Sequence, residues 1–331
     1  MIVPSSFKPA WWLKNKHLQT IWPSLFRSTF LHPKPERFRL ELADGDFIDV
    51  DWYENRSHTS TSTETVLLLH GLEGSGESTY IVGLVNQFLD QGKSVAVKHF
   101  RSCSGEINRL KRCYHSGVTD DLQEVIQLLS TDKNIIVDYL VGFSLGGNVL
   151  LKWLGENHSG HHIKAAVAVS VPLMLEECAN AIEKGFSKIY VKNLLKTLNQ
   201  KMIEKKKIHP DLTDMSDDEI RKMNTFWVFD EAITAPVHGF ESAQDYYNKV
   251  SSRQFLSKIK MPTLIIHAKD DPFMNEKIIP DDSELSHLVK MEISDRGGHV
   301  GFIEGNMPFY ARYYLDKRIP NFLDNYQSEV K

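Results

Sequence analysis

Val141-Gly142-Phe143-Ser144-Leu145-Gly146-Gly147-Asn148 decides how this chain is read. It follows Ile135-Ile136-Val137-Asp138-Tyr139-Leu140, which is apolar and β-branched enough for a buried parallel strand. Val149-Leu150-Leu151-Lys152-Trp153-Leu154-Gly155-Glu156 follows and reads as a helix. G-x-S-x-G between strand and helix is a nucleophile elbow, a turn so tight that small residues must flank the serine. Gly142 and Gly146 meet that need. The elbow lifts the Ser144 hydroxyl off the sheet, beside a helix N-terminus whose free N–H groups and dipole favour negative charge.

Working outward, strands are expected over 66–69, 94–100 and 163–171, and helices over 80–91 and 118–130. That alternation is the βαβ rhythm of a doubly wound parallel sheet. Before it, 37–43 and 47–52 alternate apolar and polar around Ala43-Asp44-Gly45-Asp46, a hairpin signal. The Ser/Thr-rich run 55–64 reads as a surface loop. After Pro172 the rhythm stops. Residues 173–255 hold no convincing strand, only helical stretches rich in Lys, Leu and Glu. Pro262-Thr263-Leu264-Ile265-Ile266-His267 restores a strand, 288–293 adds another, and 308–326 reads as a closing helix. The expected organisation is an N-terminal arm packed on the core (1–36), a core in two pieces (37–172 and 256–331), and a helical cap (173–255). Insertions of that length usually carry function.

Composition narrows the classes. The chain has 331 residues, 41% apolar and 25% charged, as an ordinary globular protein does. A net charge of −4 argues against a nucleic-acid surface. No apolar run reaches the length of a membrane span. Residues 1–10 lack a signal peptide's basic start and apolar core. Cys103, Cys113 and Cys178 are too scattered for disulfides or zinc. A cytoplasmic protein without metal or cofactor is expected; the sequence carries no signal of oligomeric state.

Several features have bland readings. Trp11, Trp12 and Trp22 crowd the arm; packing onto the core is favoured over transient contact with a membrane surface. His158, His161 and His162 lack carboxylate or thiolate partners, so a solvated loop outweighs a metal site. Lys201, Lys205, Lys206 and Lys207 are read as a solvated helix face, although a basic patch could attract anionic lipid. Met174, Met202 and Met215 are either pocket lining or core filler. Gly71, Gly74 and Gly76 lack the spacing of a phosphate loop.

A serine needs a base, and the base an orienting acid. Elbow hydrolases carry them in the order Ser, Asp, His. His267-Ala268-Lys269-Asp270-Asp271-Pro272-Phe273 supplies two candidate acids just past a strand. His299, in Arg296-Gly297-Gly298-His299-Val300-Gly301, is the candidate base, in a loop whose glycines allow close approach. An oxyanion needs fixed donors. The N–H of Leu145, next after the nucleophile, is one; that of Leu72, in His70-Gly71-Leu72 after the early strand, is the other.

Together these motifs resemble the YheT-like branch of the α/β-hydrolase superfamily, whose eukaryotic relatives are abhydrolase-domain lipases. The resemblance spans nearly the whole chain. It rests on His17-Leu18-Gln19-Thr20, His70-Gly71-Leu72-Glu73-Gly74-Ser75, Arg101-Ser102-Cys103-Ser104-Gly105-Glu106, Tyr114-His115-Ser116-Gly117 and Thr119-Asp120-Asp121-Leu122. It continues in the elbow, in Phe229-Asp230 with Thr234-Ala235-Pro236, in Asp271-Pro272-Phe273, and in Gly297-Gly298-His299. Ser102 departs from the family's usual Gly. The resemblance implies an α/β-hydrolase fold: a mostly parallel central sheet flanked by helices, with an inserted helical cap. It makes Asp271, before the Pro-Phe pair, the orienting acid for His299. It implies a serine hydrolase for short-chain esters or acylglycerols, acting through an acyl-enzyme on a small-molecule ester or lipid. An acyltransferase, or a non-catalytic binding module on the same fold, remains the alternative.

Overall fold

The computed structural model describes residues 1–30, 34–55, 64–156, 162–308 and 310–329. A short strand β1 (Ile2–Pro4) and helix α1 (Lys16–Phe26) precede the hairpin of β2 (Glu36–Glu41) and β3 (Phe47–Tyr53). Then β4 (Thr65–Leu69), α2 (Thr79–Asp90), β5 (Ser94–Lys98), α3 (Asp120–Lys133), β6 (Tyr139–Phe143), α4 (Leu145–Gly155) and β7 (Ala165–Val169) alternate. Six helices follow before the next strand: α5 (Leu175–Ile182), α6 (Lys188–Ile208), α7 (Asp217–Lys222), α8 (Phe226–Phe229), α9 (Ala235–His238) and α10 (Ala243–Val250). The chain returns to the sheet as β8 (Thr263–Ala268) and β9 (Val289–Ser294). It ends with the small pair β10 (Ile303–Glu304) and β11 (Arg312–Tyr313), then α11 (Tyr314–Glu329).

The strands form one nine-stranded sheet in the order β1-β9-β8-β7-β6-β4-β5-β3-β2. Pairings from β1 to β5 are all parallel; β3 and β2 continue the β5 edge antiparallel. The parallel strands β4, β6, β7 and β8 are buried throughout, as a sheet covered by helices on both faces requires. One core lies between the sheet and the face that carries Leu122, Val149 and Trp153. A second packs Val85 and Phe88 of α2 and Phe322 of α11 against the other face. From β4 the chain crosses to β5 on one side, and from β6 to β7 on the other. The order therefore reverses between β4 and β6. Open α/β sheets bind ligands at such a point, beyond the strand C-termini.

Three local expectations are corrected. The strand before the elbow begins at Tyr139, not at Ile135, because its ladders with the neighbouring strands start only at Val66 and Ala165. The closing helix begins at Tyr314, because Arg312 and Tyr313 are used in pairing with Ile303 and Glu304. The arm contributes a strand the sequence reading lacked: β1 lies parallel to β9 in register Ile2↔Met291 to Pro4↔Ile293. Of the polar loop 55–64, residues 56–63 lie outside the described residues.

Candidate active site

Ser144 sits between the end of β6 and the start of α4 with φ 50° and ψ −118°. For a non-glycine residue that is strained backbone, costing about 1–3 kcal/mol where its surroundings hold it. The surroundings do hold it. Its N–H donates to the Val169 carbonyl at 2.9 Å. A methyl on Gly146 would lie 2.4 Å from the His70 carbonyl oxygen, so only glycine lets the elbow meet the β4 loop. Asn148, fully buried one turn into α4, donates to the Ser116 and Val250 carbonyls and accepts the Ser252 N–H.

His299 arrives on a loop fixed at three successive N–H groups. Gly298 donates to Asp270 Oδ1 at 3.0 Å, His299 to Thr20 Oγ1 at 2.9 Å, and Val300 to Ser170 Oγ at 3.1 Å. Gly298 has φ 59°, and a side chain there would meet the Lys16 carbonyl oxygen at 2.6 Å. The ring lies flat against Phe273, centroids 4.0 Å apart and planes within 11°. Its Nδ1 is 2.8 Å from Asp271 Oδ2, and Asp271 Oδ1 accepts the Phe273 N–H at 2.8 Å. A carboxylate accepts, so Nδ1 carries the proton and Nε2 keeps its lone pair for a substrate-side proton. The two adjacent acids thus separate. Asp271 holds the ring; Asp270 holds the backbone before it, and burial pushes its carboxyl up. The buried His267 nearby is pushed down to about 4 by burial.

The third component is the loop after β4. His70 is fully buried; its Nδ1–H donates to the Gly71 carbonyl at 2.7 Å, and its Nε2 accepts the Phe100 N–H at 3.2 Å. Burial holds this imidazole well below its usual pKa, which suits a neutral ring that both donates and accepts. Gly74 N–H donates to the same Gly71 carbonyl at 3.0 Å. The Gly71 carbonyl and the Leu72 N–H belong to one planar peptide. Anchoring the carbonyl therefore aims the N–H the other way. The next peptide is fixed too: Glu73 N–H donates to Tyr114 Oη at 3.0 Å. Glu73, at φ 55°, receives the Tyr114 hydroxyl at 2.7 Å and the Lys201 ammonium at 2.9 Å on Oε1. Leu145 begins α4, so its N–H has no intrahelical acceptor.

Ser144, His299, Leu72 and Leu145 all line one cavity of about 560 Å³. Among the described residues, the Ser144 hydroxyl makes no hydrogen bond to the ring; such bonds are often long before substrate arrives. The walls are mostly apolar: Ile21 of α1, Leu175 and Ile182 of α5, Leu198 of α6, Phe226 and Met274. Among the polar residues of the wall is Asp230, where burial pushes the carboxyl up to about 6 while the Thr234 and Tyr247 hydroxyls donate to it. It sits in a π-helical turn, Asp230–Thr234, between α8 and α9. Widened turns of this kind are frequent at functional sites.

Some sequence readings change here. Lys201 and Lys205 are not a solvated face. Lys201 reaches Glu73, and Lys205, fully buried, donates to Asn108 and to the Arg112 carbonyl. Lys206 donates to the Met215 carbonyl, and Lys207 is exposed. Met174, Met202 and Met215 do not line the main cavity; Met202 lines a small neighbouring one. His158 and His161 lie outside the described residues. Ser102 has φ 64°, the conformation for which glycine is usual, and bridges to Asn108 through its hydroxyl. Thr20, Lys201 and Glu73 join the site without standing among the sequence candidates. One signal was available: Leu198, Lys201, Met202 and Lys205 share one helical stripe, so the two lysines fall on an apolar face.

The α/β-hydrolase-fold family profile matches residues 64–306. YheT of Escherichia coli (strain K12), whose esterase name is provisional, is 40% identical over 97% of this chain and 94% of its own length. Phospholipase ABHD3 of Mus musculus is 28% identical, covering 97% of this chain and 79% of its own. The monoacylglycerol lipase of Saccharomyces cerevisiae is 26% identical over 80% of this chain and 60% of its own. Among solved structures, Pyrococcus furiosus esterase Pf2001 superposes with a TM-score of 0.58 at 15% identity, over 99% of this chain and 98% of that one. That likeness concerns the fold.

Proposed function

The chain belongs to the α/β-hydrolase-fold family, in the branch of YheT, and on that premise we propose that it is a serine hydrolase of carboxylic esters. Ser144 is the nucleophile. His299 Nε2 takes the hydroxyl proton as Oγ attacks the acyl carbon, then gives it to the leaving alcohol. Asp271 keeps the proton on Nδ1 and balances the imidazolium that forms. The N–H groups of Leu72 and Leu145 hold the oxyanion. Water, activated by the same histidine, releases the acid and restores Ser144. No metal or cofactor enters these steps.

The observation that carries this reading is the Asp271–His299 contact at 2.8 Å, with the ring lining the cavity that Ser144 lines. The apolar cavity supports an acyl chain as the bound part of the substrate, and the relatives named phospholipase and monoacylglycerol lipase support acylglycerols or related lipids as the class. Residues 173–255 act as a cap that shapes the acyl pocket. The test is a panel of p-nitrophenyl esters from acetate to palmitate, with monoacylglycerols, run on wild type and Ser144→Ala. Turnover by wild type that Ser144→Ala lacks supports the proposal; equal turnover by both, or none by either, defeats it.

A further inference from the structure

Helix α1 is inside out. Its buried residues are Gln19 and Pro23, whereas Leu18, Leu25 and Phe26 are 50%, 67% and 63% exposed. At 100° per residue, Ile21, Leu25, Leu18, Trp22 and Phe26 form a continuous apolar arc without a charged member, in which Leu18, Leu25 and Phe26 are exposed while Ile21, at the cavity, and Trp22, against Trp12, are half-buried. An ordinary surface helix shows the reverse pattern. The inward glutamine has a structural purpose: its amide donates to the Leu13 and Ile303 carbonyls and accepts the Ile303 N–H. Phe26 meets the Trp22 ring at 4.2 Å, but among the described residues no such purpose explains the outward faces of Leu18, Leu25 and Phe26.

The apolar face continues onto the cap. The His17 ring packs at a tilt of 55° against Phe186, centroids 4.7 Å apart, and its Nδ1 lies 3.2 Å from Tyr190 Oη. Phe186 is 50% exposed and Ile189 49%. The same two elements flank the active-site cavity, α1 through Ile21 and Ser24 and α6 through Ile189 and Asn193. Both are basic. Residues 1–35 contain Lys8, Lys14, Lys16, Arg27 and Lys34 and no acid, and residues 184–203 contain five lysines and no acid, in a chain of net charge −4. Lys14, Lys16, Lys184, Lys188 and Lys192 are exposed.

We propose that the outer face of α1, with Phe186 and Ile189 of the cap, docks on an anionic phospholipid surface and sets the cavity opening against it. Exposed leucine and phenylalanine enter the boundary between headgroups and acyl chains, while the flanking lysines meet the phosphates. α1 is too short to span a bilayer and lies in its plane. The lysines select a lipid partner over a second copy of this chain, since a two-fold pairing of the face would oppose like charges. The proposal rests on the hydrolase reading only for the substrate that the surface would deliver.

The test is cosedimentation with vesicles of equal parts phosphatidylglycerol and phosphatidylethanolamine, compared with phosphatidylcholine alone. Wild type is expected to bind the anionic vesicles, and to lose binding in high salt. Leu25→Glu/Phe26→Glu should lower the partition coefficient at least about tenfold. The variant should keep the wild-type rate on soluble p-nitrophenyl acetate, because neither residue lines the cavity, and that retained rate shows that it is folded. Equal binding by variant and wild type, absent binding, or a wild-type dimer that the variant dissociates would each overturn the proposal. Sedimentation requires no turnover, so a protein that binds vesicles and cleaves no ester refutes the hydrolase reading alone.

Discussion

Lys201→Met tests whether the cap helix positions the oxyanion loop. The Glu73 side chain is 5% exposed and Lys201 19%, so this is a buried ion pair between α6 and the loop after β4. Burial lowers the lysine's affinity for its proton, but Cys103 and Glu73 more than offset that, and its pKa is raised. The Lys201 ammonium therefore stays charged through neutral pH. Removing one partner of a buried pair leaves an uncompensated charge, at about 3–5 kcal/mol. Glu73 Oε2 is buried without a hydrogen-bond partner, so after the change the neutral Tyr114 hydroxyl on Oε1 is the side-chain donor left to the carboxylate among the described residues. The cheaper response is for Glu73 to swing outward, which releases the Tyr114 hydroxyl and turns the peptide that follows Leu72. The loss in kcat is bounded by one oxyanion donor, about 10²–10³. The expected value is about 100-fold in kcat, with KM within about threefold, because the donor acts on the transition state and not on the ground state. Glu73→Gln in the Lys201→Met background should recover about tenfold, since the amide oxygen still accepts from Tyr114 and carries no charge. The assay is kcat and KM on p-nitrophenyl butyrate for wild type, both single variants and the double variant. A kcat for Lys201→Met within threefold of wild type, or additive losses in the double variant, would refute the reasoning.

Asp271→Asn should lower kcat by roughly three to four orders of magnitude by forcing the wrong histidine tautomer, whereas Asp270→Asn, which keeps an acceptor for the Gly298 N–H, should cost about tenfold or less. The reverse order in steady-state kinetics would contradict those roles. Gly146→Ala should abolish soluble expression or lower the thermal midpoint by more than about 10 °C, because its methyl meets the sheet backbone and cannot be relieved by a rotamer. For Asp230, a folded pKa raised to about 6 means stability is present at low pH and lost as pH rises through 6. The midpoint of Asp230→Asn relative to wild type should therefore be at least about 2 °C higher at pH 8 than at pH 5, and a pH-independent difference would show that the carboxyl is not penalised by burial.

What the sequence made legible was local. The elbow, the late His loop and the alternation of apolar strands with helices each sit within a dozen or so residues, where periodicity and turn chemistry act. What it hid was contact across the chain. The three residues of β1 have no period of their own, and their partner β9 lies near the other end of the sequence. Thr20 supports the His299 N–H from 279 residues away, and Lys201 reaches Glu73 across 128. The boundary of β6 is hidden for the same reason: Ile135 and Val137 are as apolar as a strand, but among the described residues no neighbouring strand extends far enough to pair with them. Composition also misled at Lys205, where a charged residue on a Lys-rich helix proved to be buried against Asn108.

The central claim is that Ser144 is an activated nucleophile. Labelling with a fluorophosphonate, followed by mass spectrometry of the digested protein, tests it directly. The account predicts a single stoichiometric adduct on the peptide that contains Ser144, absent in Ser144→Ala and strongly slowed in His299→Ala, with both variants folded. An adduct on another residue, undiminished labelling of Ser144→Ala, or no labelling of the folded wild type would contradict it.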